Sequence, residues 1–462
     1  MTKKTVGEQF FCDPRIVEAK KLLTDALKEH SKKITGVKPA DPDLKNSYEE
    51  LLKSFAQDRG GALWYKYLGT GMGNGALVEL ADGSVKYDFI TGIGVHFFGH
   101  SHPGVVAAQI DGAISNTTMS GNLQQNVDSP KLFRLLINQA NKYGAKLEHM
   151  FMTSSGAMAA ENALKMAFQK RHPAGRVLAF EKCFMGRTIA VSAITDKAQY
   201  RQGIPHTLNV DYLPFYDPKN HQGSIDCAVA GLKRHLSRYP GQYAAICAEL
   251  VQGEGGYYVG HTEFFKAIFE ECKKNNISVI IDEVQTFART SELFAFQYFK
   301  IDEYVDFVNI GKNSQICATL YKADHKPGPG LISQTFTSSS SAINAAYYII
   351  NEVVHNGYLG SDGKNEKFHH RFKTHLDNLH KKYPDKIEGP WGLGAMVGMT
   401  VFKGDADKTK DFSFKLYDNG VLSFMAGAAP TRLRFLMPVG AVTEKDIDNV
   451  CELIEKTLNE VK

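Results

Sequence analysis

Between residues 150 and 312 the chain alternates short apolar runs with amphipathic helical stretches, and that alternation leaves few folds open. The runs Val177–Phe180, Ala244–Leu250, Ser278–Val284 and Val305–Ile310 have the length and apolar content of buried strands. After Thr262, the residues Phe264, Phe265, Ile268, Phe269 and Cys272 fall on one side of a helix. Strands alternating with helices predict an α/β fold with a mostly parallel sheet covered on both faces. Two runs end in a charge: Ser278–Ile281 leads into Asp282, and Asp306–Gly311 leads into Lys312. The carboxyl edge of such a sheet is where ligands bind, so the pattern delivers an acid and an amine to the same edge.

The flanks read differently. Residues 14–34 carry apolar side chains at helical spacing. Ser47-Tyr48-Glu49-Glu50 reads as a capping box opening a second helix, with Gly36–Asn46 as loop between the two. Asp82-Gly83, flanked by Ala76–Leu80 and Ser84–Phe89, predicts a hairpin. After about residue 345 a helix-rich run leads to short strands around Gly394–Phe402 and Arg432–Leu436, the pattern of a smaller α+β unit.

Composition narrows the function. A net charge of +4 over 462 residues provides no field for a nucleic acid or an anionic membrane. Seven scattered cysteines, with no Cys-x-x-Cys pair and no His-x-x-x-His near them, fit a reducing compartment, and no metal is expected. The start Met1-Thr2-Lys3-Lys4-Thr5-Val6-Gly7-Glu8 lacks the apolar core of a signal peptide, and the most apolar window, Ala342–Val354, is interrupted by Asn344, Asn351 and Glu352. A cytoplasmic protein is expected. Gly71-Met72-Gly73-Asn74-Gly75-Ala76 formally satisfies the dinucleotide pattern, but a hairpin follows where a helix is required, so it reads as a flexible turn.

The chemistry lies elsewhere. Ser154-Ser155-Gly156-Ala157 precedes the helical run Met158–Lys170, and free N–H groups at a helix start favour an anion, although a plain serine cap has the same look. Asp282, at the end of a buried strand, calls for a cationic partner, and Lys312 is a candidate for covalent attachment to a carbonyl. Taken singly, each also fits an ordinary strand-end charge in solvent.

Together these elements resemble the pyridoxal-phosphate enzymes of fold type I, and among them the class III (ω-amino group) aminotransferases. From about Tyr87 onward the landmarks stand in family order: Gly99-His100-Ser101-His102-Pro103, Ser155-Gly156-Ala157, Phe184-Met185-Gly186-Arg187-Thr188, Glu249 to Gly256, Asp282-Glu283-Val284-Gln285-Thr286, Lys312, Thr335 and Arg434-Phe435. The resemblance implies pyridoxal 5′-phosphate as cofactor. Lys312 would hold it covalently and, once displaced by substrate, carry the proton between the substrate carbon and the cofactor. Asp282 would pair with the pyridine nitrogen, keeping the ring an electron sink. Gln285 would hydrogen-bond the 3′ oxygen, Phe184 would stack on the ring, Ser155, Gly156 and Ala157 would hold the phosphate, and Thr335 would reach the phosphate of a neighbouring subunit. That last role implies a homodimer with shared sites. Arg434 would bind a substrate carboxylate in bidentate fashion, with Glu254 as its switchable partner. His100 and His102 are read as structural.

The resemblance further implies a large cofactor domain (91–344) and a small domain built from both ends (1–90 and 345–462). It implies transfer of the terminal amine of a donor of the lysine, ornithine, acetylornithine or 4-aminobutyrate class to 2-oxoglutarate. Lys312–Cys317 and Gly156–Ala167 look most like lysine 6-aminotransferases. Where glycines usually follow the lysine, this chain has Asn313-Ser314-Gln315-Ile316-Cys317-Ala318, and Thr337-Ser338-Ser339 replaces a Gly-Gly-Asn. Met158, Met185 and Leu250 also depart from the pattern. Aminomutase, racemase or decarboxylating chemistry on the same cofactor, or an inactive cofactor-fold protein, are the alternatives. Arg432 shares a strand face with Arg434 and reads either as a second carboxylate reader or as a solvated charge.

Overall fold

Seven strands make the central sheet of the computed structural model, which describes residues 4–461. Met1–Lys3, where the N-terminal stretch read above begins, and Lys462 lie outside the described residues. Across the sheet the strands run His149–Thr153, Cys317–Tyr321, Phe307–Ile310, Ser278–Asp282, Tyr243–Glu249, Arg176–Phe180, Asn209–Leu213. Cys317–Tyr321 is antiparallel to both neighbours, and the remaining strands are parallel to one another. The expected mostly parallel sheet is therefore present.

Its inner strands are buried and mostly apolar because both faces are covered, while the edge strand Asn209–Leu213 is partly exposed. Helix Thr262–Lys274 lays Phe264, Phe265, Ile268, Phe269 and Cys272 against the sheet with no exposure, as the spacing predicted. Each of those phenylalanines stabilises the fold by about 1.5–3 kcal/mol through burial.

Two smaller sheets flank this layer. In one, Gly69–Asn74, Leu77–Leu80 and Val85–Asp88 form a meander, and Val421–Leu422 from the far end of the chain adds in parallel beside Val85–Asp88. The predicted hairpin turns at Gly83, whose φ of +74° suits glycine. In the other, Ile387–Leu393, Met396–Val401, Arg432–Leu436 and Phe424–Ala426 are antiparallel. Among the described residues no helix is long and apolar enough to cross a membrane.

Several local expectations change. The second of the two predicted N-terminal helices is Pro42–Arg59, capped by Asp41 with Pro42 at its first position, so Ser47 lies inside it and donates to the Leu44 carbonyl. A proline at the start, which sets φ and needs no acceptor, outweighs the later Ser-x-x-Glu signal. The glycine run at 71–75 is not a flexible turn. It is mostly strand, and a Cβ on Gly73 would stand 2.4 Å from both His100 Cβ and the Leu77 carbonyl oxygen. Ser278–Val284 stops as a strand at Asp282, whose Oδ1 accepts the Val284 N–H at 2.9 Å and turns the chain.

Candidate active site

The sheet brings two acids and an amine to adjacent strand ends. Asp282 is in register with Glu249 on one side and with Asn309 on the other, and Lys312 follows three residues after Asn309. Lys312 opens a single 3₁₀ turn with φ +55°, a left-handed conformation that a lysine adopts only at a cost. Burial, with Arg434 as a like charge, holds the Lys312 ammonium below the ordinary lysine range, although Asp282 pulls the other way. Burial raises the Asp282 carboxyl, offset by the Val284 N–H and by Lys312. An amine easily freed of its proton and a buried acid with one oxygen committed to the backbone thus face the same space.

The loops above that edge are anchored by Glu249. Its Oε2 accepts the Phe184 N–H at 2.7 Å and its Oε1 the Gly253 N–H at 3.0 Å, which ties the loop carrying Phe184 to the loop carrying Glu254. Burial, with Asp282 beside it, pushes the Glu249 carboxyl up to about 8. The sequence reading gave Glu249 no role. Its position at the head of the block ending in Gly256 was the available signal.

Helix Gly156–Arg171 starts at the same edge. Ser155 caps it, its Oγ accepting the Met158 N–H at 3.2 Å, while the Ala159 N–H is taken by the Ser155 carbonyl. Among the described residues the Gly156 and Ala157 N–H groups find no acceptor, which leaves two aligned donors at a positive helix end. A Cβ on Gly156 would lie 3.0 Å from Val284, and one on Gly311 would lie 3.1 Å from the same side chain, so Val284 is wedged between two glycines and fixes the floor.

Gln285 lies over Gly253, where a Cβ would come within 2.5 Å of its side-chain amide, and its buried Oε1 has no partner. Arg434, only 2% exposed, donates through Nη2 to Glu254 Oε2 at 2.7 Å, while its Nε and Nη1 have no partner. These unpartnered groups at one sheet edge leave hydrogen-bonding capacity that a ligand could take up. Paired N–H donors, an unsatisfied amide, an acid and a readily freed amine fit a phosphorylated pyridine aldehyde.

The site assembles Lys312, Asp282, Ser155, Gly156, Ala157, Phe184, Gln285, Glu254 and Arg434 on the elements just described. Thr335 stands apart, exposed on the loop that precedes Ser338, its carbonyl against Gly121. Arg432 is not solvated. It donates to the Gly256 carbonyl at 2.5 Å and lies over the rings of Tyr258 and Trp391, which makes it a brace for the Glu254 loop. His100 pairs with Asp88 at 3.0 Å and His102 caps helix Pro103–Ala113, both structural as expected.

The two atypical segments are used internally. Asn313 accepts from the buried Arg289 at 3.0 Å, Ser314 donates to the Ile316 carbonyl and Gln315 to the Val95 carbonyl. Thr337 donates twice to the Ser120 carbonyl, through N–H and hydroxyl. These bonds fix both segments, and Gln315 itself takes a left-handed φ of +58°.

The chain is similar to known proteins over most of its length. The family model described as aminotransferase class-III matches residues 67–458. An acetylornithine aminotransferase of Caldanaerobacter subterraneus is 29% identical over 407 residues, covering 84% of this chain and 94% of that protein. The ornithine aminotransferase of Toxoplasma gondii superposes with a TM-score of 0.75 at 25% identity, covering 90% of this chain and 98% of the other. A lysine aminotransferase of M. tuberculosis has the same fold, with a TM-score of 0.79 at 21% identity over 89% of this chain and all of that one. The chain belongs to the class III aminotransferases, enzymes that transfer amino groups with pyridoxal 5′-phosphate.

Proposed function

We propose that this enzyme moves the terminal amino group of a donor of the lysine, ornithine, acetylornithine or 4-aminobutyrate class to 2-oxoglutarate. The observation that carries the reading is the Arg434–Glu254 pair: a buried guanidinium with two unpartnered nitrogens, covered by a carboxylate that can leave. With Glu254 in place, Arg434 is neutralised and the site takes a donor by its terminal-amine end, which carries no carboxylate. With Glu254 displaced, Arg434 binds the α-carboxylate of the acceptor by two parallel hydrogen bonds.

Bound pyridoxal phosphate supplies the carbonyl that receives the amine and the ring that stores the electron pair. Lys312 would hold the cofactor and then take the proton from the donor carbon on Nζ and return it, a task that its lowered basicity suits. Asp282 would keep the ring nitrogen protonated, Gln285 would bond the 3′ oxygen and Phe184 would cover the ring. Ser155, Gly156 and Ala157 would bind the phosphate. Arg187, whose guanidinium lies 3.8 Å from the Tyr200 ring centre, was given no role of its own from sequence.

The exposed position of Thr335, with Phe336, Leu123 and Val127 also exposed nearby in the sequence segments that pair at Ser338 and Ser120, supports a homodimer in which Thr335 meets the phosphate of the partner. Strand Val421–Leu422 beside Val85–Asp88 supports a small domain made of 1–90 and 345–462 around a cofactor domain of 91–344. Seven free cysteines support a cytoplasmic location. A donor panel tests the activity: a true donor bleaches the bound-cofactor absorbance and 2-oxoglutarate restores it, whereas no bleaching by any member of the panel would refute the assignment.

A further inference from the structure

Glu254 is held from two sides. Arg434 takes Oε2, while Oε1 accepts from the Tyr200 hydroxyl at 2.8 Å and from Lys197 Nζ at 3.2 Å. The two sets of partners come from different parts of the chain. Arg434 sits on the C-terminal strand Arg432–Leu436, whereas Lys197 and Tyr200 sit just after the short helix Ile189–Ile194.

Both residues of the second set are themselves fixed. Tyr200 has the Arg187 guanidinium 3.8 Å from its ring centre on one contact and the edge of Phe184 on another, with centroids 6.3 Å apart at 85°. Lys197 lies 3.0 Å from the Tyr200 hydroxyl and, among the described residues, pairs with no carboxylate other than Glu254. Its neighbour Asp196 is occupied by the Lys182 N–H. A cavity of about 180 Å³, lined by Lys182, Asp196, Lys197, Gly255 and Tyr258, adjoins Glu254 and gives its side chain room.

A carboxylate that leaves Arg434 in a buried site is unstable unless another donor set receives it. We propose that Lys197 and Tyr200 are positioning residues that receive Glu254 when a substrate carboxylate displaces it from Arg434, and so set the balance between the two half-reactions. The inference rests on the Arg434–Glu254 reading given above. Its sign follows from the charges: without Lys197, Arg434 is the one cation facing Glu254, the pair closes more tightly, and the acceptor carboxylate competes less well.

The test uses holoenzyme variants, with each half-reaction followed separately by cofactor absorbance, the best donor of the panel on one side and 2-oxoglutarate on the other. Lys197→Met shifts the ratio of donor to acceptor kcat/KM about tenfold toward the donor, through KM for 2-oxoglutarate rather than kcat, as expected for one lost charged contact. Tyr200→Phe shifts it in the same direction by about threefold, the loss of one neutral hydrogen bond. Lys197→Arg restores the wild-type ratio, and Lys197→Met adds no shift in a Glu254→Gln background. Equal loss in both half-reactions would overturn the proposal and put Lys197 on a substrate carboxylate instead. An unchanged ratio in Lys197→Met, with a changed one in Glu254→Gln, would overturn it alone. An unchanged ratio in Glu254→Gln would overturn the switch reading itself, and this proposal with it.

Discussion

Arg434 and Glu254 meet at 2.7 Å, and the arginine keeps two nitrogens unbonded although it is almost fully buried. Desolvating a guanidinium without a full set of partners is costly, and on the reading proposed above a substrate carboxylate supplies the second one. Arg434→Ala should therefore remove the acceptor carboxylate's receptor and leave Glu254 to Lys197 and Tyr200 alone. The loss of a buried charge-assisted pair is worth about 2–5 kcal/mol, so kcat/KM for 2-oxoglutarate should fall by at least 30-fold by about that measure. Steady-state kinetics with 2-oxoglutarate varied at saturating donor checks this.

Asp282→Ala should leave Lys312 able to capture the cofactor but deprive the ring nitrogen of its counter-ion. Cofactor content by absorbance should stay near one per chain, while the donor half-reaction slows by about three orders of magnitude or more, the scale of a transition-state electrostatic contact. Retention of wild-type rate would remove Asp282 from the mechanism.

Capture of cofactor by the cofactor-free protein needs the neutral amine of Lys312. Burial lowers the lysine's affinity for its proton, so the capture rate should rise with pH and level off below the ordinary lysine value of 10.5. A rate still climbing at that pH would contradict the described environment.

Glu249 gives a stability prediction. Its carboxyl is raised from 4.5 to about 8 in the folded chain, so the folded state binds more protons than the unfolded state between those values. The stabilisation is complete below 4.5 and is lost as pH rises through about 8. Denaturant unfolding of the cofactor-free protein should show stability declining over that window, and Glu249→Gln should flatten the decline. The same variant should cost about 1–3 kcal/mol at low pH, since an amide cannot accept both the Phe184 and the Gly253 N–H.

The parts of this protein that announce themselves in sequence are those set by short-range periodicity and by residues at strand ends. Asp282 and Lys312 were legible because apolar strands lead straight to them, and helix Thr262–Lys274 because its phenylalanines repeat on one face. Pro42 was overlooked because a competing cap signal lay further along the same helix. The glycine run at 71–75 misled because its glycines answer to His100 and Leu77, contacts that pattern reading does not reach. Lys197 and Tyr200 carry no motif at all; they meet Glu254 from more than fifty residues away, and only the fold brings them together. Arg432 was open between two readings until Gly256, Tyr258 and Trp391 surrounded it.

The central claim is that the nitrogen transferred is the donor's terminal one. The direct measurement supplies lysine or ornithine labelled with nitrogen-15 at the terminal amine, with unlabelled 2-oxoglutarate, and reads the label in glutamate by mass spectrometry. Label in glutamate from the terminal position, and none from the α position in the converse experiment, is the predicted result. Label arriving from the α-amine, or no labelled glutamate with any donor of the panel, would contradict the account.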